Sequence, residues 1–129
     1  MLPDWPDGTV AVLSTAAGPP HAIPVSTAVR SGEATIHLAL ALRRESLARL
    51  REDPRCALTL LAPGVAVTAQ ATAGVVEEDD RVALVRLDVE AVQDHGQPTF
   101  ELDDGVRWRW TDADAERADG ELRARLRAL

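Results

Sequence analysis

Two adjacent arginines, Arg43 and Arg44, stand where an alternating apolar segment gives way to helical spacing. The stretch from Leu38 to Pro54 reads LALALRRESLARLREDP, which is a strand end, the two arginines, a short amphipathic helix and an Asp-Pro stop. The first backbone N–H groups of a helix have no partner within the helix, and guanidinium groups bind oxyanions through paired donors. This junction therefore predicts a binding cradle for an anionic group.

The other residues whose side chains could take part in catalysis or metal binding form no recognisable catalytic set. His21, His37 and His95 fall on different predicted elements and have no second ligand at a metal spacing, so we expect no metal site. A single cysteine, Cys56, excludes an internal disulfide and lies in the apolar run RCALTLL, where a free cysteine behaves as a small hydrophobic residue. None of the serines lies in a nucleophile-elbow context.

The charge balance excludes several classes of partner. A net charge of −7 and a pI of about 4.9, with the arginines interleaved among acids, argue against nucleic-acid binding. The first residues, MLPDWPDG, lack the basic start and apolar centre of a signal peptide, and no apolar run approaches the roughly 20 residues of a membrane span. We therefore expect a cytoplasmic protein that binds neither nucleic acid nor membrane.

The elements before and around the arginine pair are predicted from hydrophobic alternation and turn residues. A proline inside a strand, here Pro24, is confined to an edge strand or a bulge. Leu47 and Leu50 fall three apart and predict one buried helix face. The predicted elements of this half are strands over Thr9–Thr15, His21–Val29 and Ala34–Leu42, and a helix over Arg43–Asp53.

The second half predicts more strands and one final helix. A change of parity near Val85-Arg86 indicates a bulge, and Thr111 with Asp114 reads as a capping box. A hydrophobic content of 46% with only 3% aromatic residues predicts an aliphatic core, and 129 residues predict one domain. Six to seven short antiparallel strands predict a small, mostly β barrel, since closure removes exposed edges. The predicted elements of this half are strands over Arg55–Leu61, Val65–Glu77, Val82–Gln93 and Val106–Trp110, and a C-terminal helix.

Three pieces of sequence, in this order and spacing, resemble a known family. They are VAVLSTAAGPPHAIPV, SLARLREDPRCALTLL and ATAGVVEEDD, and together they cover Thr9 to Asp80. The chain resembles the pyridoxamine 5′-phosphate oxidase-like split β-barrel family of flavin- and deazaflavin-binding proteins. The resemblance implies a homodimer with a flavin or deazaflavin in a groove at the subunit interface and a small-molecule substrate.

The resemblance also implies positions for the cofactor. The second strand would face the ring system, and the segment between the third strand and its helix would hold the phosphate. Weaker candidates for polar contacts to the ring are Thr68 and Gln70 on the fifth strand. By position, the ring-facing residues would be Pro24, Val25, Ser26 and Thr27, and the phosphate-facing residues Arg43, Arg44 and Ser46.

Three functions stay open at this point. The first is an FMN-dependent oxidoreductase, with the redox chemistry supplied by the ring. The second is a reductase of the same fold that uses the deazaflavin coenzyme F420, whose longer anionic tail would lie along Arg43, Arg44 and Arg49. The third is a cofactor-free binding or structural dimer, because Ser46 stands where flavin-binding members commonly carry a lysine.

Overall fold

The computed structural model describes residues Met1–Leu129 and contains seven strands and two helices. No helix has both the length and the apolar character needed to cross a membrane. The strands are β1 (Ala11–Thr15), β2 (His21–Val25), β3 (Val29–Arg30), β4 (Thr35–Ala41), β5 (Arg55–Ala62), β6 (Val65–Glu78) and β7 (Val82–Asp94), and the helices are α1 (Glu45–Glu52) and α2 (Ala113–Arg127).

All seven strands form one antiparallel sheet in the order β2-β1-β5-β6-β7-β4-β3. Its two edge strands, β2 and β3, are separated by only three residues, Ser26 to Ala28. Four Cα–Cα steps span at most about 15 Å, so the opposite edges of the sheet must lie close together. The sheet therefore curls into a barrel that stays open between its edge strands β2 and β3, which confirms the mostly β split barrel predicted from the sequence.

Thr27 bridges this opening. Its hydroxyl oxygen accepts a hydrogen bond from the backbone N–H of Ala39 in β4 at 3.0 Å. β3 pairs with β4 only through Val29 with His37 and Arg30 with Ile36, so Ala39 has no strand partner on that side. A side chain thus supplies the acceptor that a longer β3 would have supplied.

The barrel interior is aliphatic, as the composition predicts. Twenty buried residues form the main cluster, among them Leu13, Leu38, Leu58 and Leu60. Cys56 belongs to this cluster, and burial raises the pKa of its thiol to about 11. Leu47 and Leu50 of α1 pack onto the same core, so the predicted buried face of this helix is confirmed.

The structure corrects the predicted strand at Val106–Trp110. This segment is irregular, because no neighbouring strand pairs with it. It is held instead by the indole N–H of Trp108, which donates to the Gly8 carbonyl oxygen at 2.8 Å. The close approach of Gly105 to β5 adds to this, since a Cβ there would stand 2.4 Å from the Leu61 carbonyl oxygen. The number of strands nevertheless agrees with the prediction of seven, because the predicted second strand divides into β2 and β3.

Two further details differ from the sequence-based prediction. The N-cap of α2 is Asp112 rather than Thr111, and the Asp112 carboxylate accepts from the N–H groups of Asp114 and Ala115. The expected bulge near Val85 exists, but the extra residue lies in β6, where the pairing shifts between Val75 and Glu77.

The inward face of β7 keeps one parity from Ala83 to Val89, and α2 covers part of the outer face of this stretch. A bulge of β7 itself lies at Glu90, where the pairing shifts from Val89 with Ala71 to Ala91 with Gln70. Ala83, Val85 and Leu87 all belong to the main core. Leu84 points the other way and forms a small second cluster with Leu126 of α2. The apparent parity change in the sequence therefore reflects a strand that is buried on both sides at one end.

Candidate functional site

The predicted anion cradle lies at the start of α1. Arg43 stands in the turn after β4, and Arg44 is the N-cap residue, with extended backbone and no side-chain capping hydrogen bond. Both side chains are exposed. The first turn of α1 also contains Glu45, an acid that offsets the unfavourable placement of arginine at a helix N-terminus.

These two arginines differ from most others in the chain. Ten of the fourteen arginine side chains form an ion pair with an acid. Arg43 and Arg44 form none, and they donate no side-chain hydrogen bond. The unpaired side chains are Arg43, Arg44, Arg81 and Arg109.

Arg81 joins this site through the fold. The backbone N–H of Leu42 donates to the Arg81 carbonyl oxygen at 3.0 Å, and Ala41 pairs with Val82 in the sheet. Arg81 is therefore a backbone neighbour of the turn that contains Arg43. Sequence reasoning missed it, because Arg81 follows an acidic run that reads as a solvated turn, and only the pairing of β4 with β7 brings it here.

Ser46, a predicted phosphate-facing residue, lies beneath the cradle. Its side chain is 0% exposed, and its hydroxyl is 3.0 Å from His21 Nε2. The other ring nitrogen of His21 is 3.9 Å from a carboxylate oxygen of Glu45. Serine, histidine and acid thus stand in a row, but a fully buried hydroxyl is closed to any substrate and cannot act as a nucleophile. The row fastens β2 to α1.

Arg49 is committed to holding the β1–β2 turn. One terminal nitrogen donates to the carbonyl oxygens of Ala17 and Pro19 at 2.6 and 2.7 Å. Nε and the second terminal nitrogen donate to Glu45, and this hydrogen bond and charge lower the pKa of the Glu45 carboxyl. The charge of Arg49 is therefore already compensated within the protein, unlike that of Arg43.

The predicted ring-facing residues lie at the end of β2 and in the connection to β3. Pro24 is exposed on an edge strand, which confirms the position that its proline predicts. Val25 is buried in the core, Ser26 is half-buried, and Thr27 makes the bridge to β4. Pro24 and Ser26 are thus the members of this group that present accessible surface without an intramolecular side-chain hydrogen bond.

The two candidates on β6 lie on the outer face of the sheet. The Thr68 hydroxyl is 3.0 Å from the Thr59 hydroxyl and 2.8 Å from His95 Nε2, and Gln70 is exposed. Strand pairing places Thr68 in a cross-sheet row, and Gln70 lies in the next row. The first row is Pro24, Val12, Thr59, Thr68 and Gln93, and the second is Ala22, Ser14, Ala57, Gln70 and Ala91.

Neither row contains a charged residue, although 27% of the chain is charged. Pro24 and Thr68 share a row but stand three strand spacings apart, about 14 Å. Within one chain, the predicted residues therefore form three groups: the start of α1, the end of β2, and the outer face of β6. The fold does not gather them into one cleft.

A cavity of about 620 Å³ lies elsewhere. It is lined by the N-terminal lead-in, the β5–β6 turn and the segment before α2, and it contains Trp108 and Trp110 with ring centroids 5.1 Å apart. Trp108 is 39% exposed, so it is not a core residue. Acids and arginines alternate around this cavity, and no group of three or more His, Cys, Asp or Glu is placed to hold a metal ion.

Comparison with known proteins shows the fold class. No family model matches the sequence, and no curated protein matches it. Among solved structures, a pyridoxamine 5′-phosphate oxidase-like protein from Lactobacillus delbrueckii has a TM-score of 0.58 and 20% identity, covering 67% of this chain and 84% of its own.

Two further structures show the same likeness. BorF, the flavin reductase component of a bacterial two-component tryptophan halogenase, has a TM-score of 0.61 and 11% identity, covering 70% of this chain and 81% of its own. An F420 reductase has a TM-score of 0.55 and 9% identity, covering 67% and 90%. The chain thus has the pyridoxamine 5′-phosphate oxidase-like split-barrel fold, in agreement with the resemblance seen in its sequence.

Proposed function

We propose that this protein is a flavin-dependent oxidoreductase of the pyridoxamine 5′-phosphate oxidase-like type, which binds FMN at a homodimer interface and acts on a small-molecule substrate. The fold supports a flavin-type cofactor, because solved structures of this fold include a flavin reductase and a FAD-binding protein. The isoalloxazine ring, when bound, supplies the hydride or electron transfer, and no side chain need act as an acid or base.

The observation that carries the proposal is the unpaired positive charge at the β4–α1 junction. Arg43 and Arg44 are exposed, adjacent and without ion pairs, and Arg81 is a backbone neighbour of their turn. In a chain with a net charge of −7, two adjacent uncompensated guanidinium groups at one turn favour binding of a phosphate dianion. We assign Arg43 and Arg44 to the phosphate and Arg81 to a supporting contact.

The ring system is assigned to the end of β2. An edge strand keeps backbone N–H and C=O groups free, and such groups can bond the polar pyrimidine edge of a flavin. The bridge from Thr27 to Ala39 fixes this segment against β4, which ends at Ala41, two residues before Arg43. A ring at one end and a phosphate at the other suit an elongated cofactor such as FMN.

The homodimer is proposed from the outer sheet face. The two uncharged rows, centred on Thr59 and Ala57, form a surface of small and apolar side chains in which Val12 is 39% exposed. A charge-free strip of this kind can pack on its own copy about a two-fold axis, with the charges of Arg55 and Glu90 at its margin. Such packing would bring Thr68 and Gln70 of each chain towards the partner and explains why one chain alone forms no cleft.

Among the alternatives, FMN fits the number of available arginines better than F420 does. The longer anionic tail of F420 would need Arg49 as well, and Arg49 already binds Ala17, Pro19 and Glu45. The cofactor-free dimer is the outcome that a binding test would reveal.

The test is to purify the protein, reconstitute it with FMN or F420, and titrate each by fluorescence quenching. Bound flavin absorbing at about 450 nm, with a micromolar or tighter Kd, supports FMN. Preferential binding of F420 supports the deazaflavin enzyme, and binding of neither refutes both enzyme functions. Sedimentation at micromolar concentration tests the dimer separately.

A further inference from the structure

A run of four acids, Glu77 to Asp80, spans the end of β6 and the turn into β7. This turn lies beside the anion cradle, because the carbonyl oxygen of Arg81 accepts a hydrogen bond from the Leu42 N–H. Glu78 is paired with Arg51 of α1 at 2.7 Å. Any carboxylate left uncompensated here would repel a bound phosphate and attract the nearest guanidinium. The partners of the other acids therefore bear on anion binding.

Arg125 of α2 holds two of these acids. Its Nη1 donates to the Asp79 carboxylate at 3.1 Å, and its Nη2 donates to the Glu77 carboxylate at 2.9 Å. The bond to Glu77 and then the bond to Asp79 raise the pKa of Arg125. Backbone N–H groups of Val82 and Arg81 lower the pKa of the Asp79 carboxyl most, and the guanidinium from α2 adds to this. Asp79 and Arg125 are therefore both charged at neutral pH.

The chain contains the same local motif, Asp-x-Arg, at Asp53-Pro54-Arg55, where the arginine behaves differently. In both motifs the backbone N–H of the arginine donates to Oδ1 of the aspartate, at 3.1 Å for Arg55 and 2.8 Å for Arg81. The Arg55 guanidinium folds back onto its aspartate, with Nη2 2.6 Å from Oδ2. The Arg81 guanidinium does not fold back, and it forms no ion pair.

The partner of the second carboxylate oxygen explains this difference. At Asp53, Oδ2 accepts from the arginine two residues later, whereas at Asp79 the same oxygen accepts from Arg125. An arginine of α2 thus occupies the acceptor onto which Arg81 would fold. Exposed ion pairs add little to stability, so the larger consequence of this contact is a free guanidinium beside the cradle.

We propose that Arg125 is a positioning residue of the anion cradle, which keeps the guanidinium of Arg81 unpaired and available to a phosphate. It does so by occupying Asp79, and by binding Glu77 it removes a second competing carboxylate. The inference rests on the proposed function, because the phosphate is that of the cofactor. It adds α2 to the elements on which cofactor binding depends, although α2 itself contributes no contact to the phosphate.

The first test needs no cofactor. The Nε–Hε signal of Arg81 is followed in ¹H–¹⁵N spectra of the full chain, and its loss in Arg81→Gln identifies it. In Arg125→Gln this signal should shift and exchange more slowly with water, because Arg81 then folds onto Asp79. Asp79→Asn keeps an oxygen for the backbone N–H groups and removes the charge. Adding it to Arg125→Gln should therefore return the signal to its position in the parent protein.

The second test is FMN binding, measured by fluorescence quenching in a double-mutant cycle. Arg125→Gln should raise the Kd about three- to tenfold, as Arg81→Gln does, and the two together should cost little more than either alone. Arg125→Gln combined with Asp79→Asn should recover most of the parent affinity. Arg117→Gln is the matched control, because it removes another ion-paired arginine of α2, and it should leave the Kd unchanged.

An unmoved Arg81 signal in Arg125→Gln overturns the inference, whether or not FMN binds. Additive losses in the cycle, or no recovery with Asp79→Asn, also overturn it, because Arg125 would then act only by holding α2 in place. If the parent protein binds no FMN, the proposed function is refuted and the role towards phosphate with it, while the spectra still decide whether Arg125 keeps Arg81 unpaired.

Discussion

Replacing Arg43 and Arg44 together by glutamine should weaken FMN binding strongly and leave the fold nearly unchanged. Both side chains are exposed and make no hydrogen bond or ion pair within the protein. Surface substitutions of this kind change the free energy of unfolding by within about 0.5 kcal/mol. Any large loss of affinity therefore has to come from contacts with the ligand.

The magnitude follows from the number of contacts. A charge-assisted hydrogen bond contributes about 1.5–3 kcal/mol when it is shielded from water, and an exposed one contributes less. We take about 1–1.5 kcal/mol for each guanidinium, because the junction is open to solvent. The double variant should then lose about 2–3 kcal/mol of binding free energy, which corresponds to a Kd raised about 30- to 150-fold.

The assay is quenching of FMN fluorescence at low and moderate ionic strength, with unfolding by urea measured on the same samples. Arg109→Gln is the matched control, since Arg109 is the remaining unpaired arginine and lies in the tryptophan cavity. Its affinity for FMN should equal that of the parent protein. The difference between parent and double variant should shrink as salt rises, because screening weakens exposed charge pairs.

Unchanged affinity in the double variant, with the fold intact, would refute the assignment of the cradle to phosphate. Equal losses in the double variant and in Arg109→Gln would refute it in another way, since general electrostatic attraction would then explain the effect. Arg81→Gln adds a graded check. It should weaken binding about tenfold at most, because the Arg81 side chain is assigned only a supporting contact to the phosphate.

Four other outcomes are expected. Val12→Asp, which places a charge within the uncharged row centred on Thr59, should shift the dimer towards monomer in sedimentation at micromolar concentration, and an unchanged sedimentation coefficient would count against that interface. Thr27→Val should lower the free energy of unfolding by about 1–2 kcal/mol, because the N–H of Ala39 loses its acceptor; urea unfolding measures this. Cys56 should react with aromatic disulfides only after denaturation, since with a pKa of about 11 roughly one thiol in a thousand is ionised at pH 8. Burial, more than neighbouring charge, lowers the pKa of His37 below its ordinary value of 6.5. As the pH falls below 6.5, the unfolded chain therefore binds a proton at His37 before the folded protein does, and the free energy of unfolding should decrease. His37→Asn should reduce this dependence of stability on pH, measured by urea unfolding.

Much of the fold could be predicted because its signals are local. Alternation along β4 and the three-residue spacing of Leu47 and Leu50 report directly which face is buried. The same local signals failed at Val106–Trp110, whose alternation of tryptophan and arginine imitates a strand. Strand formation needs a neighbour, and contacts with Gly8 and Leu61 occupy this segment instead. No property of the five residues alone reports that.

The boundary between β2 and β3 is a second feature that local sequence signals do not predict. Pro24 looks like the point where the second strand breaks, yet β2 continues through it and ends at Val25. An edge strand tolerates proline, because one row of its N–H groups faces no partner. The actual break falls at Ser26 to Ala28, where the chain crosses from one edge of the sheet to the other. Barrel closure determines that position, and closure depends on all seven strands.

The candidate site could be predicted only where its residues are neighbours in the chain. Arg43 and Arg44 could be predicted because they are adjacent in the sequence, at a strand-to-helix junction. Arg81 could not, because its neighbours in sequence are acids and its relation to Leu42 exists only through the pairing of β4 with β7. Arg49 is the opposite case. Its position in the sequence predicts a ligand for an anion, but in the fold its guanidinium donates to carbonyl oxygens of the β1–β2 turn.

The use of Arg49 strengthens the case for Arg43 and Arg44. Its bonds to Ala17 and Pro19, with the bond between Ser46 and His21, fix α1 against the β1–β2 turn from below. A helix start held this firmly keeps the backbone of both arginines in place, so the entropy lost when an anion binds is that of the side chains alone. In this chain, the buried residues of the segment set the position and the exposed ones are left with their charge unpaired. A binding site requires both a fixed backbone and unpaired charge, whereas a helix start that only faces solvent requires neither.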